Sequence, residues 1–459
     1  MQRSTASLDL TSLVLITALA LVGATIAFAG QQLVLIGALL GVGALILIWK
    51  HPHLGILIFL STFLFRYPSY LQGYGFLTIN NIIGAVFCLL LFFHLLEKRD
   101  LWALHDSRIR IIMAISAVFL ISTWLARDPP QNMANLDRTS IELWDFFTQS
   151  AFVIFMIHFI RTREQLAFVF ALFFFAIIVS AISALLITGV DYRASASFGI
   201  DAATNSNRLG FYSLAGIVIL WYLRQSVSSP MLRVALLGVA ALLLLVVFLT
   251  SSRSALINTL VFAGILAVEA GVRPRRLIGT LIVIGVFSFL VLKLVPEQNL
   301  ERITAFDTSS GGHSEAHGST SHRLRVAQVA LEIYSDSNLL VGVGPGNFRW
   351  IRQLDYDLQR LSLHNGYLWA LLSGGLAGLV LYLALYWTCW RDLRWLEAQP
   401  GSPSSPPSWM IKSTRTLLLL FLVFSLFAEI WLEIIPFLIV GLTIVMLRLH
   451  SQAVGKIAS

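Results

Sequence analysis

Residues 165–189 read QLAFVFALFFFAIIVSAISALLITG, a run without one charged side chain. A helix rises 1.5 Å per residue, so ~20 apolar residues cross a ~30 Å hydrocarbon core. This run is long enough, and in lipid a helix satisfies every backbone group within its own segment. Comparable runs lie on either side, at 11–29, 32–49, 53–65, 77–96, 109–126, 143–160, 207–223, 231–250, 254–271, 276–295, 366–390, 415–428 and 431–448. The run at 53–65 and the last pair are short for upright crossing and read as re-entrant, tilted or merged. The expected fold class is an all-α polytopic membrane protein of about 12 transmembrane helices, with ~14 as the upper bound.

Composition agrees with that reading. Of 459 residues, 57% are apolar and 12% charged, about half the ~25% charge of a soluble domain. An ordinary globular enzyme is excluded. The net charge of +8, from 32 basic against 24 acidic residues, is read as a topology signal, and no nucleic-acid partner is expected. Cys88 and Cys389 both lie in apolar runs, so neither a disulfide framework nor a cysteine metal site is argued. Ala27-Phe28-Ala29 spells a small-residue cleavage site. The run before it exceeds the ~7 to 15 residues of a signal-peptide core, and Arg3 is offset by Asp9, so the segment is read as a first span.

Basic residues in alternate connections set the orientation. Nineteen fall on one side, in short turns, and thirteen on the other, six of them in one long loop. The short-loop bias places both termini in the cytoplasm. Three regions follow: transmembrane helices over 1–295, an external loop over 296–365, and C-terminal transmembrane helices over 366–459 with a cytoplasmic linker at 391–414. In the loop, Ser309 to His322 is rich in Ser, Gly and His and reads as mobile. Amphipathic helices are predicted over 323–334 and 347–361, separated by a turn at Gly342-Val343-Gly344-Pro345-Gly346.

Charged groups at the external boundary carry the chemistry. Arg193 and Arg208 bracket the loop 191–208, and Arg253 lies in the turn Thr250-Ser251-Ser252-Arg253-Ser254. An arginine at membrane depth costs several kcal/mol unless it snorkels or meets an anion. Any one alone reads equally as headgroup snorkelling; three on one face, beside an Arg-rich loop, point to a phosphate group, which guanidinium forks bind bidentately. His364 precedes the run at 366–390. Histidine takes a proton near neutral pH, and Asn365 could orient it or a substrate hydroxyl. A lone interfacial histidine is ordinarily structural; sharing a face with the arginines favours chemistry.

Other constellations are weaker. Asp355-Tyr356-Asp357 spells the D-x-D string of metal-dependent sugar transferases, but residues two apart diverge on a helix, and Arg352 and Arg360 lie three positions from each Asp. It reads as a solvated, ion-paired face. His313, His317 and His322 suggest zinc, yet without acidic or cysteine partners they read as loop composition. Glu429 and Glu433, one turn apart, read either as a proton or cation site or as the boundary of a hairpin. No metal site and no cofactor are expected.

The Thr250–Leu256 turn, the segment from Arg323 to Gly342-Val-Gly-Pro-Gly-Asn-Phe348, and Leu363-His-Asn-Gly-Tyr-Leu368 leading into a Gly-rich span resemble the O-antigen ligase and polymerase superfamily in order and spacing. The likeness runs over roughly 190–450 and is strongest to the O-antigen ligase. It implies a bacterial inner-membrane, metal-independent glycosyltransferase of the GT-C type with a periplasmic site. It also implies an undecaprenyl-diphosphate-linked glycan as donor and, for a ligase, lipid A–core as acceptor, with membrane lipids around both. By position, His364 resembles the family's essential histidine and Arg193 and Arg253 its arginines, with Arg208 and Arg323 as further candidates. An O-antigen polymerase, which extends carrier-linked repeats, is the neighbouring alternative. A transporter is the alternative of another class; it would predict repeat symmetry and charges near mid-bilayer, whereas no repeat is seen and the candidate charges lie at the boundary.

Overall fold

The computed structural model describes residues 43, 46, 48–65, 79–98, 105–126, 139–187, 194–196, 200–269, 314–356, 363–399 and 405–455. The apolar runs predicted at 11–29 and 276–295, and most of 32–49, lie outside them. Helices account for nearly all of the described secondary structure: α1 Pro52–Leu64, α2 Ile79–Lys98, α3 Ser107–Leu125, α4 Thr139–Phe159, α5 Arg163–Ile187, α6 Ser206–Ser226, α7 Pro230–Leu249, α8 Arg253–Glu269, α9 Ser314–Ser335, α10 Phe348–Tyr356, α11 Gly366–Ala398, α12 Ser408–Phe424 and α13 Ile434–Ala453. One isolated antiparallel bridge joins Phe65 to Ile200. Among the described residues, α3, α4, α5, α7, α11 and α13 are each long and apolar enough to cross a bilayer. The chain is a multi-pass membrane protein.

Helix ends pair across the bundle. Ser122 near the end of α3 donates to the carbonyl of Ser373 near the start of α11 (2.9 Å), while Arg108 at the other end of α3 meets Asp392 (2.7 Å). The two helices therefore run antiparallel. Tyr222 meets Thr416 at one end of the α6–α12 pair, and Phe211 stacks on Phe424 at the other, with centroids 4.6 Å apart. The bundle thus has a His364 end and an opposite, Arg415 end.

Burial does not follow hydrophobicity. α6 carries polar and small residues, yet Gly210, Ser213, Ala215 and Gly216 are buried among α5, α7, α8 and α12. Small residues let membrane helices approach closely, and lipid is as apolar as leucine, so packing is decided by shape.

The segment 339–347 threads into α11. Gly375 has φ +62 and ψ −161, which interrupts the helix, and an interrupted ladder frees amides that need other acceptors. Leu376 N–H donates to Leu339 O (2.9 Å) and Ala377 N–H to Leu340 O (3.0 Å); in return Val343 N–H donates to Leu372 O (2.8 Å). A Cβ on Gly375 would lie 2.3 Å from Leu340 O, and one on Gly342, at φ +73, 2.2 Å from Leu372 O. Glycine at these two positions is what lets the backbones touch. Asn347 completes the clamp, accepting from Thr139 Oγ1 (2.7 Å) and Trp350 Nε1 (3.0 Å) and donating to Val343 O (2.8 Å).

Two sequence expectations change. The stretch 309–322 reads as mobile, but α9 starts at Ser314; Val326, Val329, Ala330 and Ile333 further along form one buried stripe that anchors the helix. The stretch 391–414 reads as a linker, yet α11 continues to Ala398 and α12 starts at Ser408, because Leu393, Leu396, Met410 and Ile411 are buried.

Candidate active site

His364 and Ser251 are the two non-glycine residues with left-handed backbone among those described, at φ +51 and +50. Such a conformation costs about 1–3 kcal/mol and persists when its surroundings over-determine it. Around His364 they do. Leu363 N–H donates to Glu429 Oε2 (3.0 Å), Gly366 N–H to Ser425 O (2.7 Å), Asn365 Nδ2 to Leu426 O (3.3 Å) and Tyr367 OH to Leu422 O (2.8 Å). Asn365 Oδ1 also caps α11, accepting from the amides of Tyr367 (2.9 Å) and Leu368 (3.0 Å). A Cβ on Gly366 would meet Trp431 Nε1 at 2.4 Å, so glycine there admits the indole.

His364 lines a cavity of about 400 Å³. Its other walls carry Glu142 and Asp145 from α4, Asn205, Asn207 and Arg208 at the start of α6, Arg349 from α10, Trp369 from α11, and Glu429 and Glu433 from the α12–α13 connection. Trp369 packs edge to face on Phe119 (5.8 Å) and Tyr382 (6.1 Å), and beyond Tyr382 lies Trp431, tilted against it (4.3 Å). Such packing makes a stiff wall.

The arginines face carboxylates. Arg208 Nε lies 2.7 Å from Glu433 Oε1, and its Nη2 donates to Glu429 O (3.2 Å). Tyr212 OH donates to Glu433 Oε2 (3.2 Å). Arg349 Nε lies 3.9 Å from Glu142 Oε1, whose other oxygen accepts from Trp369 Nε1 (3.1 Å). Burial pushes the Glu429 carboxyl above its usual range, opposed by Arg349, the Leu363 amide, Arg208 and Arg352. Arg352 is corrected from the sequence reading. It is buried, not on a solvated face, and burial, with Arg349 beside it, lowers its pKa to about 10.

The sequence-predicted residues fall in different places. His364 and Arg208 line the cavity; Asn365 adjoins it as a helix cap. Arg253 opens α8, and Ala255 beside it packs on Gly210, two residues from Arg208. Arg323 lies on α9, and among the described residues neither it nor Arg253 lines the cavity. Arg193 lies outside the described residues; its neighbour Ala194 donates to Leu249 O (3.0 Å), beside the turn before Arg253. Of the histidine trio, His313 is also outside them. Arg349, Glu142, Asp145 and Trp369 were missed, and the Arg349 signal was its place directly after Gly346-Asn347-Phe348. Among the described residues no three His, Cys, Asp or Glu side chains gather as a metal site would require.

Fold and site together define a multi-pass membrane protein with a charged, aromatic-walled cavity at one end of its helices. A protein-family model described as O-antigen ligase matches residues 238–383, so about a third of the chain is similar to that family. The match takes in Arg253, Arg323, the 342–348 clamp, Arg349, His364 and Asn365, and stops short of Arg208, Glu429 and Glu433. No curated protein matches the chain.

Proposed function

We propose that this protein is an O-antigen ligase of GT-C type, transferring a glycan from undecaprenyl diphosphate to a sugar hydroxyl of lipid A–core. The reaction takes place at the periplasmic face of a bacterial inner membrane. With the apolar runs outside the described residues, the chain makes 12 to 14 spans with both termini cytoplasmic. The observation that carries the reading is His364, held in left-handed backbone on the wall of a cavity that also presents Arg208 and Arg349.

His364 accepts the proton of the acceptor hydroxyl as that oxygen bonds to the anomeric carbon. The bond from that carbon to the diphosphate oxygen breaks on the opposite face, so the anomeric centre inverts. Negative charge grows on the departing diphosphate, where preorganised guanidinium groups stabilise it most. Arg208 on the cavity wall supplies one of them, and Arg193, Arg253 and Arg323 are the further arginines that the family resemblance implies. The donor arrives activated, so neither nucleotide nor metal enters the step. The polyprenyl tail lies in lipid, against helices that present Trp124, Leu186, Met231 and Trp387 outward.

A polymerase would use the same groups on a different acceptor. Purified protein given lipid-linked glycan and lipid A–core, without added metal, should extend lipid A–core and release undecaprenyl diphosphate. Extension of carrier-linked repeats alone would make it a polymerase, and release without acceptor, or none at all, would overturn transfer.

A further inference from the structure

Both arginines on the cavity wall are engaged by the protein's own carboxylates. Each carboxylate has a second holder: Tyr212 OH for Glu433 (3.2 Å) and Trp369 Nε1 for Glu142 (3.1 Å). Neither contact is a strong one. The Arg208–Glu433 approach, though 2.7 Å, is not aligned as a hydrogen bond, and the arginine side chain is 34% exposed while that of Glu433, with Oε1 buried, is 16%; Arg349 and Glu142 are 3.9 Å apart. The arginine is thus reached by solvent on one side, where a diphosphate can approach it.

We propose that Glu433 is a resident competitor for the diphosphate site: it occupies Arg208 in the empty enzyme, is exchanged for the donor's diphosphate, and returns to Arg208 as the product diphosphate leaves. This inference rests on the reading of Arg208 as a diphosphate ligand. Tyr212 acts as the tether that keeps the displaced carboxylate within reach. Glu433 stands at the N-cap of α13 without a side-chain capping bond, so exchange removes no cap from that helix. A site that binds its leaving group too well is slow to turn over, and a built-in carboxylate lowers the apparent affinity by the fraction of time Arg208 is uncovered. Glu142 stands in the same relation to Arg349, at longer range.

The test is binding of farnesyl diphosphate, a short polyprenyl diphosphate, to the full-length purified protein by calorimetry, with thermal unfolding measured alongside. Glu433→Gln keeps the size of the side chain and its contact with Tyr212 but removes the charge. Its dissociation constant is expected to fall about tenfold, corresponding to an Arg208 uncovered roughly one-tenth of the time. Tyr212→Phe, which loosens the tether, should give a smaller fall in the same direction. In turnover, Glu433→Gln should lower KM and lower kcat together, as slower product release requires. Loss of a merely structural contact would weaken binding. Wild-type binding with an equal or larger dissociation constant in both variants overturns the exchange and leaves the ligase reading intact. Failure of wild-type protein to bind, or binding undiminished in Arg208→Ala, overturns the diphosphate site and the exchange with it.

Discussion

The two ends of the helical bundle hold their charges differently. At the Arg415 end, Arg415 is 9% exposed and bonds Glu397 and Glu269 with separate nitrogens, Tyr222 reinforces Glu269 at 2.9 Å, and Arg108 joins Asp106 (2.5 Å) and Asp392 (2.7 Å). At the His364 end, the Arg208 and Arg349 contacts are looser and surround a cavity of about 400 Å³. Charge buried in closed pairs fastens helices to one another; charge around open space is left within reach of whatever enters it. Arginine content alone would not separate the two ends.

The comparison breaks first at His364. His364→Ala should lower transfer by ~10² to 10⁴, as expected for a lost general base. His364→Asn, whose residue type tolerates left-handed backbone, should be equally inactive while unfolding at the wild-type temperature. Full activity in either variant, measured with lipid-linked donor, would end the assignment. Next is Arg415→Ala, which takes from Glu269 and Glu397 the guanidinium they share and leaves them Tyr222 and Lys412. Removing one partner of a buried pair costs ~3–5 kcal/mol, read as loss of folded protein in detergent; unchanged thermal stability would mean the closed pairs do not fasten the bundle. Gly375→Ala, whose Cβ would meet Leu340 O, should cost about 1–3 kcal/mol and lower activity through the half-helix that follows His364.

The smallest effect sharpens the contrast through pH. Burial raises the Glu429 carboxyl, so the folded protein holds that proton more tightly than the unfolded chain. Stability therefore declines as pH rises through and above the usual carboxylate range near ~4.3. Glu429→Gln removes this loss. Its unfolding temperature relative to wild type should rise from pH 4 to pH 7 and be level below that; a constant difference would mean that Glu429 gains no proton on folding.

The spans were legible because a long apolar run in lipid has one helical solution: 109–126 became α3 and 231–250 became α7. Which helices are central was not. α7 is among the most apolar spans and 22% of its apolar stretch is buried, whereas 89% of that of the less apolar α13 is, since lipid rewards apolar side chains as the interior does. The Leu363–Leu368 motif singled out His364, and the structure places it on the cavity wall. Glu142 was hidden in the first turn of a span, and Arg208 and Glu433 meet across 225 positions of sequence, a pairing no local pattern announces. Arg352 was read as solvated from its spacing to Asp355, but on α10 it is turned inward with Phe348 and Trp350.

The break at Gly375 bears on how the protein is made. A helix crossing the translocon has only itself to bond with, so α11 must enter the bilayer either whole or with amides unsatisfied. Its interrupted form takes carbonyls from Leu339 and Leu340, which must first lie beside it. Completing the Gly375 break is thus a docking step between α11 and the segment 339–347, beyond the placing of the helix in lipid.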